Sequence, residues 1–194
     1  MASKVEQLKA HPTIAVCGLD CGLCPRYYTV GTSRCPGCGG AGFLDKHPSC
    51  SFITCCVKKR GLEVCGQCPE FPCSKFKNEE ECQPTESSSY PPARKMLSNL
   101  RFIRERGMEE FVRRQGKRIA LLEAMIDRYD DGRSRSFFCR AAALLDPEDL
   151  KRSLEKAKKA TAGRRSDAKQ RAKILRGVLA EVALAEGIEL TRTK

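Results

Sequence analysis

Apolar positions are spaced in two different ways along the chain. From Met96 onward, Met96, Leu100, Ile103, Met108, Phe111, Val112, Ile119, Leu122, Met125, Ile126 and Tyr129 recur mostly at steps of three and four. That spacing lays apolar side chains along one stripe of an α-helix. Gly107 and the "DDG" at residues 130–132 interrupt the series and predict helix breaks. "SFFCRAAALL" predicts a short apolar helix from about Ser136 to Leu145. "DPEDLKRSLEKAKKA" predicts another, with Asp146 as N-cap, Pro147 at the first helical position and acids in the first turn. The last predicted helix runs from about Asp167 with Ser166 as cap, buries Leu175, Val178, Leu179 and Val182, and stops at Gly187. Stripes of this kind pack as a helical hairpin or bundle.

Before Cys82 no such period exists. Large apolar residues there are few and scattered, among them Leu19, Leu23, Phe43, Phe52, Ile53, Val64, Phe71 and Phe76. A segment this short rarely folds on so little buried area without staples. The staples it offers are cysteines: of thirteen in the chain, all but Cys139 fall between Cys17 and Cys82. Cys139, between Phe138 and Arg140 and followed by alanines, reads as a small buried hydrophobe. The composition changes near "QPTESSSYPP", whose Ser and Pro content is that of a linker or surface loop. The fold expected is therefore mainly α. It comprises a small, irregular, zinc-stabilised cysteine-rich N-terminal module over residues 1–82, a linker at 83–92 and an all-α, basic helical bundle over 93–194.

Cysteine spacing carries the candidate chemistry. The order is Cys17-x3-Cys21-x2-Cys24, Cys35-x2-Cys38, Cys50, adjacent Cys55 and Cys56, then Cys65-x2-Cys68-x4-Cys73. A C-x2-C pair such as "CPGCGG" or "CGQC" brings two thiolates to one ion from a tight turn, and zinc sites commonly join two such knuckles. Cys35 and Cys38 are most simply completed by Cys50 and one of Cys55 or Cys56. Cys65 and Cys68 are then completed by two of Cys17, Cys21, Cys24 and Cys73. Two zinc ions are the default, three the upper count. His47, three residues before Cys50, is a rival ligand, and Cys82 is a further candidate.

Disulfides and an iron–sulfur cluster are the two alternatives to zinc. No apolar core of signal-peptide length precedes the first cysteine, and no later stretch has the length and apolarity of a membrane span. A cytoplasmic location follows as the expectation. In a reducing compartment dense cysteines serve as metal ligands more readily than as disulfides, and thirteen is an odd number to pair. An iron–sulfur cluster is the second alternative, because Cys17-x3-Cys21-x2-Cys24 has the spacing of radical S-adenosylmethionine enzymes. The chain lacks the repeated strand–helix units such catalysts need, and it lacks a C-x2-C-x2-C-x3-C-P run.

The motifs "CGLDCGLCP", "CPGCGG", "CSFITCC" and "GLEVCGQCPEFPCSKF" occur in that order. The segment from Ile14 to about Lys77 resembles the domain-of-unknown-function family 3795, a group of cysteine-rich prokaryotic proteins. The resemblance implies a metal-binding module and a cytoplasmic home. It carries Cys17, Cys21, Cys24, Cys35, Cys38, Cys65, Cys68 and Cys73 over as the motif cysteines, and it implies no reaction.

Charge divides the chain again. The formal net charge is +12, with ten Lys and Arg against nine acids in residues 1–90 and twenty-six against fifteen after them. Arg94 to Arg118 holds nine bases and three acids, and Lys151 to Arg176 holds eleven and two. Such faces attract polyanions, so the helical half is expected to contact a protein or the phosphate backbone of a nucleic acid. No catalytic constellation is identified: there is no Ser–His–Asp set, carboxylate pair or Gly-rich phosphate loop, and His11 and His47 are the only histidines. A zinc-binding adaptor is the expected role. The alternative is an iron–sulfur or open-coordinate zinc–thiolate protein with redox, thiol or methyl-transfer chemistry.

Overall fold

The computed structural model describes residues 7–47, 49–76, 95–162 and 166–190. The expected linker at 83–92 and Cys82 lie outside the described residues. The chain is mainly helical and contains no strand among the described residues, as the apolar spacing predicts. No helix among them is long and apolar enough to cross a membrane.

Contacts divide the chain into two compact units, Met1–Arg113 and Arg114–Lys194. The first contains the cysteine-rich segment, built from turns rather than long helices. A 3₁₀ turn spans Cys21–Leu23, a single helical turn α1 spans Phe43–Lys46, and a π-helical stretch spans Ile53–Lys59. Two further 3₁₀ turns follow at Cys65–Gln67 and Ser74–Phe76. Ile14 and Asp20 form an isolated antiparallel bridge, and Ala15 donates its N–H to the Leu19 carbonyl at 2.8 Å. The last cysteine knuckle is stitched to this loop by the Cys65 N–H, which donates to the Val16 carbonyl at 2.9 Å.

Helix α2, Met96–Arg106, belongs to this unit rather than to the second. Its buried face supplies Leu97, Leu100 and Ile103 to a core that also holds Ile14, Val16, Phe43, Ile53, Val64, Phe71 and Phe76. The scattered apolar residues of the cysteine segment thus gain the continuous face they lack among themselves. Two motif glycines permit the approach. A Cβ on Gly18, whose φ is 91°, would overlap the Met96 carbonyl oxygen, and one on Gly66 would overlap that of Leu100. Only glycine allows two backbones so close. Arg104 then donates to the carbonyls of Cys68 and Phe71, both at 3.0 Å, tying the "CGQCPEF" loop to the helix. Gly107, with φ 85°, ends α2 where the sequence predicts a break.

Helix α3, Met108–Tyr129, contains the dividing position, and its C-terminal half contributes Leu122, Met125 and Tyr129 to the second unit. There α4 spans Arg135–Leu144, α5 Pro147–Thr161 and α6 Ala168–Ala185. Helix α6 packs on α5 and α4, burying Leu175, Val178 and Leu179 against Phe138, the alanines Ala141 to Ala143, Leu150 and Ala157. Cys139 is buried in α4, as a small hydrophobe there should be. The start of α5 is as predicted: Asp146 caps by accepting from the Glu148 N–H at 2.8 Å, with Pro147 in the first turn. The cap of α6 is Asp167 rather than Ser166. Its carboxylate accepts from the Gln170 N–H at 2.7 Å while the Gln170 side chain accepts from the Asp167 N–H at 3.3 Å. A carboxylate three residues before a glutamine closes this reciprocal box, which Ser166, one residue earlier, is out of register to form.

Candidate metal centre

The cysteine side chains gather around the first loop because three turns deliver them there. The Ile14–Asp20 bridge brings Cys17 and Cys21 to adjacent corners, and the Cys24 N–H closes on the Cys21 carbonyl at 3.1 Å. The "CPGC" knuckle is held against this loop by the Cys38 N–H, which donates to the Pro12 carbonyl at 2.8 Å. In return the Val16 N–H points at the Cys38 sulfur, 3.5 Å away. Backbone N–H groups aimed at sulfur are what stabilises a thiolate or a thiolate ligand. The π-helical stretch carries Cys55 and Cys56, with Cys56 buried and its Sγ 3.6 Å from the Leu62 carbonyl.

Two neighbourhoods result. In one, Cys17 lies within the field of Cys38 and Cys50, and Cys21 within that of Cys38, Cys17 and Cys24. In the other, Cys56 and Cys65 share a side-chain hydrogen bond, and Cys65 also lies near Cys17 and Cys73. Cys35 borders the first group through Cys38. Cys68 stands at the rim, where Arg60 donates to its sulfur at 3.3 Å while ion-paired to Glu70 at 2.7 Å, and Cys55 is a second neighbour of Arg60. Cys38 thus has Cys50 and Cys35 as electrostatic neighbours, and Cys65 has Cys56, Cys17 and Cys73. His47 is exposed and stacks on Phe43, ring centroids 4.8 Å apart.

Ionisation in this cluster is set by burial and by the neighbours. Burial pushes the Cys17 thiol up to about 11, with Cys38 and Cys50 adding to the shift against the opposing Leu19 backbone hydrogen bond. Burial also raises Cys21 and Cys38 above the ordinary thiol range. In the Cys56–Cys65 pair the shared hydrogen bond holds the proton on Cys65 and lowers Cys56, which Lys9 and Arg60 favour further. Thiols that resist ionising side by side are ionised readily by a bound divalent cation, which displaces their protons.

All twelve described cysteines are free thiols. Their chemistry suits zinc, a borderline-soft ion that takes four thiolates. Among the described residues, however, no three His, Cys, Asp or Glu side chains form a group closed tightly enough to hold an ion.

Spacing gave no indication of three other residues in this region. Lys9 is buried at 3% exposure with its ammonium on the Ile14 carbonyl. Asp20 and Asn99 form a buried pair behind Cys17 and Cys21. Nothing in the local pattern marks them, because each meets its partner only after the chain turns back.

No curated protein and no solved structure matches the chain. Residues 13–78 match the family model described as protein of unknown function (DUF3795), the family to which the order of the cysteine motifs points.

Proposed function

We propose that the cysteine-rich segment is a zinc-binding module and that the chain works as a binding protein or adaptor, using its basic helices on a partner. The observation that carries the zinc reading is that Cys17, Cys21 and Cys50 each neighbour Cys38, and that Cys17, Cys21 and Cys38 are thiols raised by burial, whose protons a divalent cation would displace. A second ion would take Cys56, Cys65 and Cys73, with Cys68 at the rim. Zinc at such sites contributes on the order of 10 kcal/mol to folding, which fits a segment whose own core is thin.

The partner reading rests on charge. Lys151, Lys158 and Lys159 on α5 and Lys169 and Lys173 on α6 are exposed, whereas Lys156 is paired with Glu181 at 2.8 Å. Cations in excess of their acids make a positive field suited to phosphates.

Anaerobic purification followed by assay of zinc, iron and sulfide per chain tests the first part. Two or three zinc ions are expected; iron with sulfide and broad visible absorbance would replace zinc with clusters. A salt titration of binding to generic DNA and RNA tests the second. Affinity should fall steeply, by a log–log slope of about −0.9 for each duplex phosphate contacted, and absence of binding at low salt would leave protein as the partner class.

A further inference from the structure

Helix α6 buries one face on α4 and α5 and leaves the other exposed. On the exposed face Lys169, Lys173, Gly177, Ala180 and Leu184 follow one another at steps of four and three, the spacing of a single stripe along a helix. Leu184 is 83% exposed. A Cβ added to Gly177 would meet nothing within 4 Å. Beside Leu184 opens a groove of about 470 Å³, walled by Phe137, Ala180, Ala183, Ile188 and Leu190. An exposed leucine alone needs no explanation. One that adjoins an apolar groove and shares a stripe with an uncovered glycine makes a surface with both a projection and recesses.

The order of charges along α6 says what fits there. Past its cap, Asp167, the helix opens with Lys169, Arg171, Lys173 and Arg176 and no acid, whereas from Gly177 to Leu190 the charged residues are Glu181, Glu186 and Glu189. This order runs against the helix macrodipole, which favours acids at the N-terminal end and bases at the C-terminal end. Helix α5 obeys that rule, with Glu148 and Asp149 in its first turn and Lys158 and Lys159 in its last. An order unfavourable along one helix becomes favourable between two that lie antiparallel, because the basic half of each then meets the acidic half of the other.

We infer that α6 is a self-association surface whose occupant is a second copy of this chain, packed antiparallel about a two-fold axis near Ala180. A contact of this kind uses the same patch twice. Leu184 of each copy lies over Gly177 of the other, where the missing side chain leaves room. In that register Lys173 of each copy comes level with Ile188 of the other. Its methylene stem then covers the apolar groove while its ammonium reaches the acidic end around Glu186 and Glu189. Glu181, next to the axis, brings its own counter-ion, Lys156 at 2.8 Å. The surface belongs to the second compact unit, so the inference is independent of the metal reading. The lysines of α5 are no part of the stripe, which separates it from the phosphate reading as well.

The test is sedimentation velocity of the full chain over a concentration series at low salt, under reducing conditions and without nucleic acid. The wild type should pass from monomer to dimer, and added salt or Lys173→Glu should weaken the dimer. Leu184→Gln should weaken it about 100-fold, because a buried leucine is lost from both copies. Gly177→Gln should weaken it about 10-fold or more by filling the seat of Leu184. The same change raises helix propensity and should leave the monomer at least as stable as the wild type, so loss of the dimer there is not loss of the fold. Circular dichroism at concentrations where every variant is monomeric checks that each is folded. A wild type that stays monomeric up to its solubility limit overturns the inference. So does a dimer whose affinity is unchanged in Leu184→Gln or in Gly177→Gln.

Discussion

Asn99 donates through Nδ2 to the carboxylate of Asp20 at 3.0 Å and to the Gly18 carbonyl at 2.9 Å, joining positions 79 and 81 apart in the sequence. All of this is buried, so the pair is a polar clasp between α2 and the loop carrying Cys17 and Cys21. Asn99→Leu should cost about 1–3 kcal/mol, because the Asp20 carboxylate and a carbonyl lose a buried donor. Urea denaturation of the full chain, followed by limited proteolysis to locate the loosened part, checks this. An unchanged midpoint would mean that water replaces the amide without penalty.

Gly18→Ala and Gly66→Ala should each displace α2 from the cysteine segment. The added methyl meets a carbonyl oxygen of the helix backbone, which cannot move as a side-chain tip can. Losses of about 1–3 kcal/mol are expected, larger at Gly18, where the left-handed φ of 91° adds strain. Gly61→Ala is a comparison with φ 64° and open space around it, and it should show the conformational part alone. Thermal melts of the three variants rank the two effects.

Arg118 donates to the carbonyls of Ala142 and Leu145 at 2.7 and 2.6 Å, satisfying the C-terminal end of α4. Arg118→Met should cost about 1.5–3 kcal/mol, the range for hydrogen bonds from a charged donor. Hydrogen exchange should localise the change to the last turn of α4. Uniform protection along α4 in the variant would show that solvent takes over the guanidinium's work.

Asp131 precedes α4, and its Oδ1 accepts from the N–H groups of Arg133 and Ser134 at 3.1 and 2.9 Å. Burial opposes ionisation, but the Ser134 side chain together with these backbone hydrogen bonds outweighs it and holds the carboxyl below its usual range. The unfolded state therefore binds the proton more tightly, and stability rises with pH through this window. The contribution is complete above the unfolded value of about 3.9 and is lost as pH falls through the lower folded value. Asp131→Asn should thus be less stable than the parent at pH 7, with the gap narrowing by pH 3. A gap independent of pH would show that geometry rather than charge holds the turn.

Removal of metal should be local. On the zinc reading, a strong chelator should speed exchange at the amides of Cys38 and Cys65, which bond to the Pro12 and Val16 carbonyls. Amides of α5 and α6 should keep their protection, since those helices rest on their own core. Equal loss in both units, measured by hydrogen exchange with mass spectrometry, would show that the folding of the two is coupled.

What the sequence determined by itself are the features whose causes lie within a few residues. The break at Gly107, the Asp146–Pro147 start of α5 and the apolar stripes of α3 and α6 were all legible there, because capping and helical periodicity are local. The motif cysteines were legible as a set for the same reason, since a C-x2-C turn is short. Tertiary structure decided the partners. Cys17 and Cys21 face Cys38, and Cys56 faces Cys65, because chain reversals bring separate turns together, and no spacing encodes which turns will meet. The same holds for α2, whose apolar stripe reads like those of the helices after it, yet whose Leu100 and Ile103 complete the core of the cysteine segment. It holds most clearly for Lys9, a lysine in a polar stretch that any sequence rule sends to the surface, but whose burial depends on a glycine thirty residues away leaving room for its stem.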